Sequence, residues 1–266
     1  SYIRGRDRAL DRIIFQFNNL LADGTIFQSS WSRDKNYELG IKKCPYETTI
    51  INAPNPTIFH PESSKLPGKG KKGLIATSWS GNIRRGFETY QYLDEHLDFD
   101  RFEMTFVGNS PVQFKNIKWI KPVPSKELAI ILREHDVYIT ASINDPCSNS
   151  LLEALHCGLP AVARNDGGHP EIIGEAGAFF ENGDGAIDAI EKVANNHGYY
   201  QARIDLATLD DVGQEYYEFA QTIYEDCLNS NYRPKQVNLF SNMNVRIRIA
   251  VWKAQNKLQG MKKARQ

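Results

Sequence analysis

Cysteine is scarce: Cys44, Cys147, Cys157 and Cys227 are the only four in 266 residues, and no two form a Cys-x-x-Cys pair. Their wide, irregular spacing excludes a disulfide framework or a zinc-ribbon pattern and predicts reduced thiols. No apolar run reaches the length that spans a bilayer. The opening residues, Ser1-Tyr-Ile-Arg-Gly-Arg-Asp-Arg8, lack the character of a secretory signal, so the expectation is a cytoplasmic protein. No His/Asp/Ser triad, metal-ligand cluster, internal repeat or long low-complexity tract stands out, which points to metal-independent chemistry without a cofactor. Acidic residues are missing from one end. Between Arg233 and Gln266 there are nine Lys or Arg and no Asp or Glu. Subtracting those nine from 32 basic residues leaves 23 in residues 1–232, against all 32 acidic ones. The tail is therefore electrostatically separate from an otherwise acidic chain, and nothing points to nucleic acid.

The 41% of hydrophobic residues suffice for one large or two modest cores. Apolar, strand-like segments at Gly24–Gln28, Thr48–Ile51, Leu74–Ser78, Met104–Val107, Lys118–Ile120, Val137–Thr140, Ala161–Ala163 and Ala178–Phe180 alternate with helical patterns. That order predicts parallel βαβ construction. Ile83, Phe87, Tyr90 and Leu97 recur at helical spacing, as do Leu128, Ile131 and Leu132. Asn52-Ala-Pro-Asn-Pro56 and His60-Pro61 interrupt regular structure, and the glycine- and lysine-rich stretch from Ser63 to Gly73 reads as a mobile connector. The expected organisation is a partial domain at 1–54, a linker at 55–72, a doubly wound α/β domain at 73–232 and a basic, helical tail at 233–266. Two helical patterns and two short strands in residues 1–51 are too few for an independent Rossmann-like layer, so the rest of that domain is expected outside this chain.

In a doubly wound sheet, ligands bind beyond the carboxyl ends of the strands where strand order reverses. With Leu74–Ser78 first and Val137–Thr140 fourth, the flanking loops are Trp79–Arg85 and Ala141–Ser150, the two richest in polar residues. A helix beginning after the second loop would offer free N–H groups to a phosphate, with Ser148, Asn149 and Ser150 as further donors. Capping explains the same residues without any ligand: Asp145-Pro146 reads as an N-cap with Pro at the first helical position, and Ser150 with Glu153 as a capping box. Arg84 and Arg85 follow an expected cap at Asn82, where positive charge opposes the helix dipole unless an anion is bound. Arg84 fits a solvated side chain, whereas Arg85, next to Gly86, fits an anion contact. Gly167 and Gly168 permit close approach of backbone to a ligand, and His169 reads as a surface or capping residue.

Five landmarks stand in order: Ile50 through Pro61, Arg85-Gly86, Phe106-Val-Gly108, Asp145 through Pro160, and Gly167 through Glu171. Over about residues 20–230 the chain resembles retaining glycosyltransferases of family four. The resemblance implies a GT-B fold of two Rossmann-like domains, with the nucleotide-sugar on the second. It implies that Glu153 hydrogen-bonds the ribose, and that Asp145, one methylene shorter than the family's usual Glu, holds a donor-sugar hydroxyl or senses the acceptor. Arg85 stands where the family has a Lys that binds the diphosphate. The family's earlier Arg falls near Trp79 or Ser80, leaving Arg84 as its substitute. Pro146-Cys147-Ser148 replaces a glycine-rich turn, so Cys147, Ser148, Asn149, Ser150, Gly167 and Gly168 complete the implied donor site. Asp145 and Arg85 are the implied catalytic pair; a leaving phosphate oxygen deprotonates the acceptor, without a protein nucleophile. The implied donor is a UDP-, GDP- or ADP-sugar, and the acceptor a glycan, lipid-linked or other hydroxyl. The basic tail would then rest on an anionic membrane surface, and its alternative is a solvated helix. Two other functions stay open: a nucleotide-sugar-binding module without activity, and a sugar-nucleotide epimerase on the same architecture.

Overall fold

The structure, a computed structural model, describes residues 8–62, 70–236 and 239–263. In chain order the elements are α1 (Arg8–Leu21), β1 (Gly24–Phe27), α2 (Ser30–Glu38), β2 (Tyr46–Thr49) and β3 (Lys72–Ser78). A 3₁₀ turn at Ile83–Arg85 precedes α3 (Phe87–His96), β4 (Phe102–Gly108), β5 (Lys118–Ile120), α4 (Ser125–Arg133) and β6 (Val137–Thr140). Next come α5 (Asn149–His156), β7 (Ala161–Arg164), α6 (His169–Ile173), β8 (Gly177–Phe180), α7 (Gly183–Asn195) and α8 (His197–Gln201). The chain continues into α9 (Leu209–Leu228) and α10 (Leu239–Lys263). All eight expected strands are present, with β2 starting two residues earlier than the apolar pattern suggested.

Two compact units share these elements: one takes in residues up to Ile50 and from Gln214 onward, the other Ile51–Gly213. In the second unit, β3 to β8 form a six-stranded sheet in the order β5-β4-β3-β6-β7-β8, with every pairing parallel. Strand order reverses between β3 and β6. The side-chain period of two sends Leu74 and Ala76 to one face with Phe106, Ile139, Leu93 and Ile190. It sends Ile75 to the other face with Val107, Tyr138, Leu132 and Leu155. Burial on both faces explains why these strands read as continuous apolar runs.

The units divide the chain differently from the boundaries expected above. Residues 55–62, read as linker, lie with the six-stranded sheet, because Phe59 is buried in its core and Arg133 Nη1 donates to Ile58 O at 3.1 Å. Of the expected connector, residues 63–69 lie outside the described residues, as do 237–238 and 264–266 of the tail. Residues 214–232, read as part of the donor domain, group with the first unit. There Phe219 and Ile223 of α9 press on Gly24, Tyr46 OH donates to Asp226 Oδ2 at 2.7 Å, and Tyr232 OH to Asp23 Oδ1 at 2.7 Å. Lys235 is anchored too, its Nζ donating to Ala22 O at 2.6 Å. The first unit holds the two-stranded parallel sheet of β1 and β2 with its helices.

α10 carries apolar residues on opposite faces. Val245 is buried, and α10 packs on α1. Phe240, Met243, Ile247 and Val251, spaced three or four residues apart, are 81, 57, 57 and 50% exposed. No helix among the described residues is long and apolar enough to cross a membrane.

Candidate donor-binding site

The residues singled out from the sequence converge at the carboxyl ends of β3, β6 and β7. After β3, Asn82 caps the 3₁₀ turn, its side chain accepting from Arg84 N at 3.0 Å. The basic pair therefore sits in the last turn of that short element, ahead of α3, so the expected clash with an α-helix dipole is avoided. Ile83 does not join α3; it is 73% exposed, beside the 53% exposed Trp79. Gly86 ends the turn at φ +75°, and a Cβ there would lie 2.1 Å from Ala141 O. Only glycine lets the β3 loop close on the β6 loop in this way. Ile143 N–H to Arg84 O, at 2.9 Å, completes the seam.

Across it, Arg85 Nη1 donates to Asp145 Oδ2 at 2.8 Å and to Ser142 Oγ at 3.3 Å. The side chains are 30% and 6% exposed, making this a largely buried ion pair. Asp145 is thus not a helix N-cap, which corrects the capping reading. The cap of α5 is Ser148, without a side-chain bond to the helix N–H groups; its Oγ lies 3.2 Å from Ser150 Oγ. Ser150 lies inside the helix, so the capping box with Glu153 does not form.

Glu153 is left with no hydrogen bond or ion pair among the described residues. Burial pushes its pKa up from the usual carboxylate range to about 7. Below the surface, Tyr138 OH lies 3.0 Å from Thr77 Oγ1, and its phenol, pushed up by burial to about 12, stays neutral. Cys147 is buried in the apolar core rather than presented to the crevice. Asn149 is exposed, and its Oδ1 accepts from Asn52 Nδ2 at 3.2 Å. Ser80 Oγ accepts from Asn82 N at 3.3 Å, which makes it part of the β3 loop's own turn.

The glycine pair closes the third side. Gly167 adopts φ +67°, and a Cβ there would meet Asp145 O at 2.3 Å. Gly168 N–H donates to that same oxygen at 2.9 Å. Asp166 accepts from Asn144 N and Gly167 N, both at 2.8 Å, and so ties this loop to the strained residue Asn144, φ +54°. The packed backbone, rather than a ligand, is what requires glycine at 167. His169 is neither a surface nor a capping residue: it is fully buried, with Nδ1 3.0 Å from Arg164 O. Tyr138, Ser142, Asp166 and His169 were all missed as site residues. The Asp directly before Gly167-Gly168 was the one local signal available; the other three are recognisable only by contact.

This is the fold of GT-B glycosyltransferases. Among solved structures, the chain is similar to sucrose-phosphate synthase from Thermosynechococcus elongatus, with a TM-score of 0.67 at 16% identity over 85% of this chain and 64% of that one. It is also similar to the pneumococcal O-GlcNAc transferase GtfA in complex with UDP and GlcNAc, with a TM-score of 0.58 at 13% identity over 77% of this chain and 46% of that one. Anabaena Alr3699/HepE in complex with UDP-glucose gives 0.63 at 15% identity over 82% of this chain and 68% of that one. The chain thus spans less than two thirds of the first two structures. Residues 113–208, which include Asp145, Glu153 and the Gly167-Gly168 loop, match the family model for glycosyl transferases group 1. A search of curated proteins finds no match.

Proposed function

We propose that this chain carries the nucleotide-sugar-binding part of a glycosyltransferase of the family-four type, which transfers a glycosyl unit to an acceptor hydroxyl with retention and without a metal ion. One observation carries the reading: Glu153, half-buried and unpartnered among the described residues, stands on α5, the helix that follows the loop in which Asp145 meets Arg85 beside the strand-order reversal. A partly desolvated carboxylate without a partner is disfavoured, and a vicinal diol such as that of a ribose would satisfy it. Arg85 would leave Asp145 to clamp the diphosphate, its planar fork matching two phosphate oxygens. The N–H groups of Asn149 and Ser150 at the start of α5 would add partial positive charge against the leaving group. Asp145, released from Arg85, would accept a hydroxyl of the donor sugar. With the departing phosphate oxygen as the base, the acceptor attacks the same face and no protein nucleophile takes part.

Calorimetry with UDP-, GDP- and ADP-sugars tests the reading. One base is expected to bind, and turnover with an acceptor panel should proceed in excess EDTA and yield, by NMR, a product of the donor's own anomeric configuration. Absence of binding to all three would reject it. The reading of a binding module without activity draws support from Pro146, which has no amide to offer a donor sugar, and from an Arg85 already engaged by Asp145. Binding without turnover would favour that second reading.

We also propose an anionic membrane surface as a partner of α10. Its exposed stripe of Phe240, Met243, Ile247 and Val251 is accompanied by Arg246, Arg248, Lys253 and Lys257, with no acidic residue from Arg233 onward. Apolar insertion flanked by cations is what an interfacial helix needs. The intact chain should co-sediment with phosphatidylserine-containing vesicles in a salt-sensitive manner. A Phe240→Ser/Ile247→Ser variant should bind at least about tenfold more weakly. Equal binding of the variant, or of a chain ending at Lys235, would remove the membrane from the account.

A further inference from the structure

His169 has its whole side chain out of solvent, yet only one of its ring nitrogens is engaged. Nδ1 lies 3.0 Å from Arg164 O, and a carbonyl can only accept, so Nδ1 carries the hydrogen. Nε2 is then a bare lone pair, buried and without a partner among the described residues. An orphaned buried acceptor is costly and calls for an explanation. Its neighbourhood supplies one. Gly168 N–H is bonded to Asp145 O, which brings His169 next to the Arg85–Asp145 pair. The charged groups acting on the ring are Asp145, Asp166 and Arg85. Asp166 accepts hydrogen bonds from the backbone N–H groups of Asn144 and Gly167. With Arg85 in place, burial and the guanidinium keep His169 neutral, its pKa lowered.

We propose that His169 is a positioning residue of the donor site: when Arg85 leaves Asp145 for a diphosphate, Nε2 takes up a proton from solvent and His169 replaces Arg85 as the cation beside Asp145. The inference rests on the nucleotide-sugar reading above. Its physical basis is charge balance. Asp145 is only 6% exposed on its side chain, so losing the guanidinium to a substrate is costly and favours another cation in its place. Two carboxylates and an arriving diphosphate all favour the imidazolium, while Arg85, which opposed it, has moved to the phosphates. The proton thus lets a single arginine serve two anions in turn: Asp145 in the free protein and the diphosphate in the complex.

The test uses UDP-, GDP- and ADP-glucose, whose diphosphates are diesters and do not titrate near neutral pH. Calorimetry in buffers of different ionisation enthalpy should register uptake of up to about one proton per bound ligand, so that affinity rises up to about tenfold per pH unit of acidification. Glu153 moves protons the other way, releasing one if it binds as a carboxylate, so the quantity that decides is the difference between wild type and His169→Asn. Asparagine retains a donor for Arg164 O but cannot titrate, and the uptake should vanish with it. Ring NMR of histidine-labelled wild type reports the same event without any substitution. His169 should be the neutral Nδ1–H form in the free protein at pH 7 and imidazolium in the complex. Binding that leaves His169 neutral, or a proton count equal in His169→Asn, overturns this inference and leaves the nucleotide-sugar reading intact. Absence of binding to all three ligands overturns both.

Discussion

Arg85→Ala is expected to lose both stability and ligand. The substitution strands Asp145, 6% exposed, without the guanidinium that now lies 2.8 Å away. Removing one partner of a buried pair costs about 3 kcal/mol, because a desolvated charge is left uncompensated. That corresponds to a fall in melting temperature of roughly 10 °C for a chain of this size. The loss should be smaller at pH 5 than at pH 8. Acid protonates a carboxylate that has lost its guanidinium and so removes the uncompensated part of its charge. Affinity for the nucleotide-sugar should fall roughly 30-fold with the loss of a charge-assisted phosphate contact. Arg85→Ala/Asp145→Asn separates the two effects: stability should return, since neither charge remains, while binding stays weak. Recovery of binding in the double variant would mean that Arg85 only neutralises Asp145.

Glu153→Gln should move stability and binding in opposite directions. Burial raises the Glu153 pKa from 4.5 to about 7, so folding favours the protonated acid. The sign follows: wild-type stability is fully present below about pH 4.5, declines as the carboxyl ionises in the folded state, and the loss is complete above pH 7. The full excursion is about 3 kcal/mol at most. Glutamine has no such ionisation, so the variant should melt higher than wild type at pH 8.5 and close to it at pH 4.5. Nucleotide-sugar affinity should drop roughly 10- to 100-fold, because a neutral amide holds a diol less firmly than a carboxylate does. A residue kept for structure shows the reverse pattern, with stability falling and binding intact. Gains in stability at the expense of binding mark a position retained for its ligand.

Much of the candidate site's geography was readable from local pattern. Strands buried on both faces must be apolar throughout, so β3, β4 and β6 to β8 announced themselves, and their alternation with helices dictated a parallel sheet with a switch point. Gly86 and Gly167 were legible as places where backbone comes close, although what approaches them is Ala141 O and Asp145 O. Helix ends misled. Asp145-Pro146 has cap composition, and Ser150 with Glu153 has capping-box spacing, but α5 begins at Asn149. Asp145 instead pairs with Arg85, 60 residues earlier in the chain, and the helix starts three residues beyond Pro146. Ile83 fitted the period of α3, yet the αL turn at Gly86 separates it from that helix.

The sequence by itself determined the strands, the alternating α/β order, the reversal point that brings the two polar loops together, and the excess of positive charge in the tail. Those properties depend on neighbours a few residues apart, through side-chain period, turn chemistry and composition. Only the tertiary structure decided that Asp145 is paired with Arg85, that Glu153 is a half-buried acid without a partner among the described residues, and that His169 is enclosed with one nitrogen unused. It also decided that residues 55–62 pack with the six-stranded sheet and that 214–232 group with the first unit. Ionisation, desolvation and partnership are set by whatever groups the fold brings within a few ångströms, and here those groups come from separate loops that no local spacing connects.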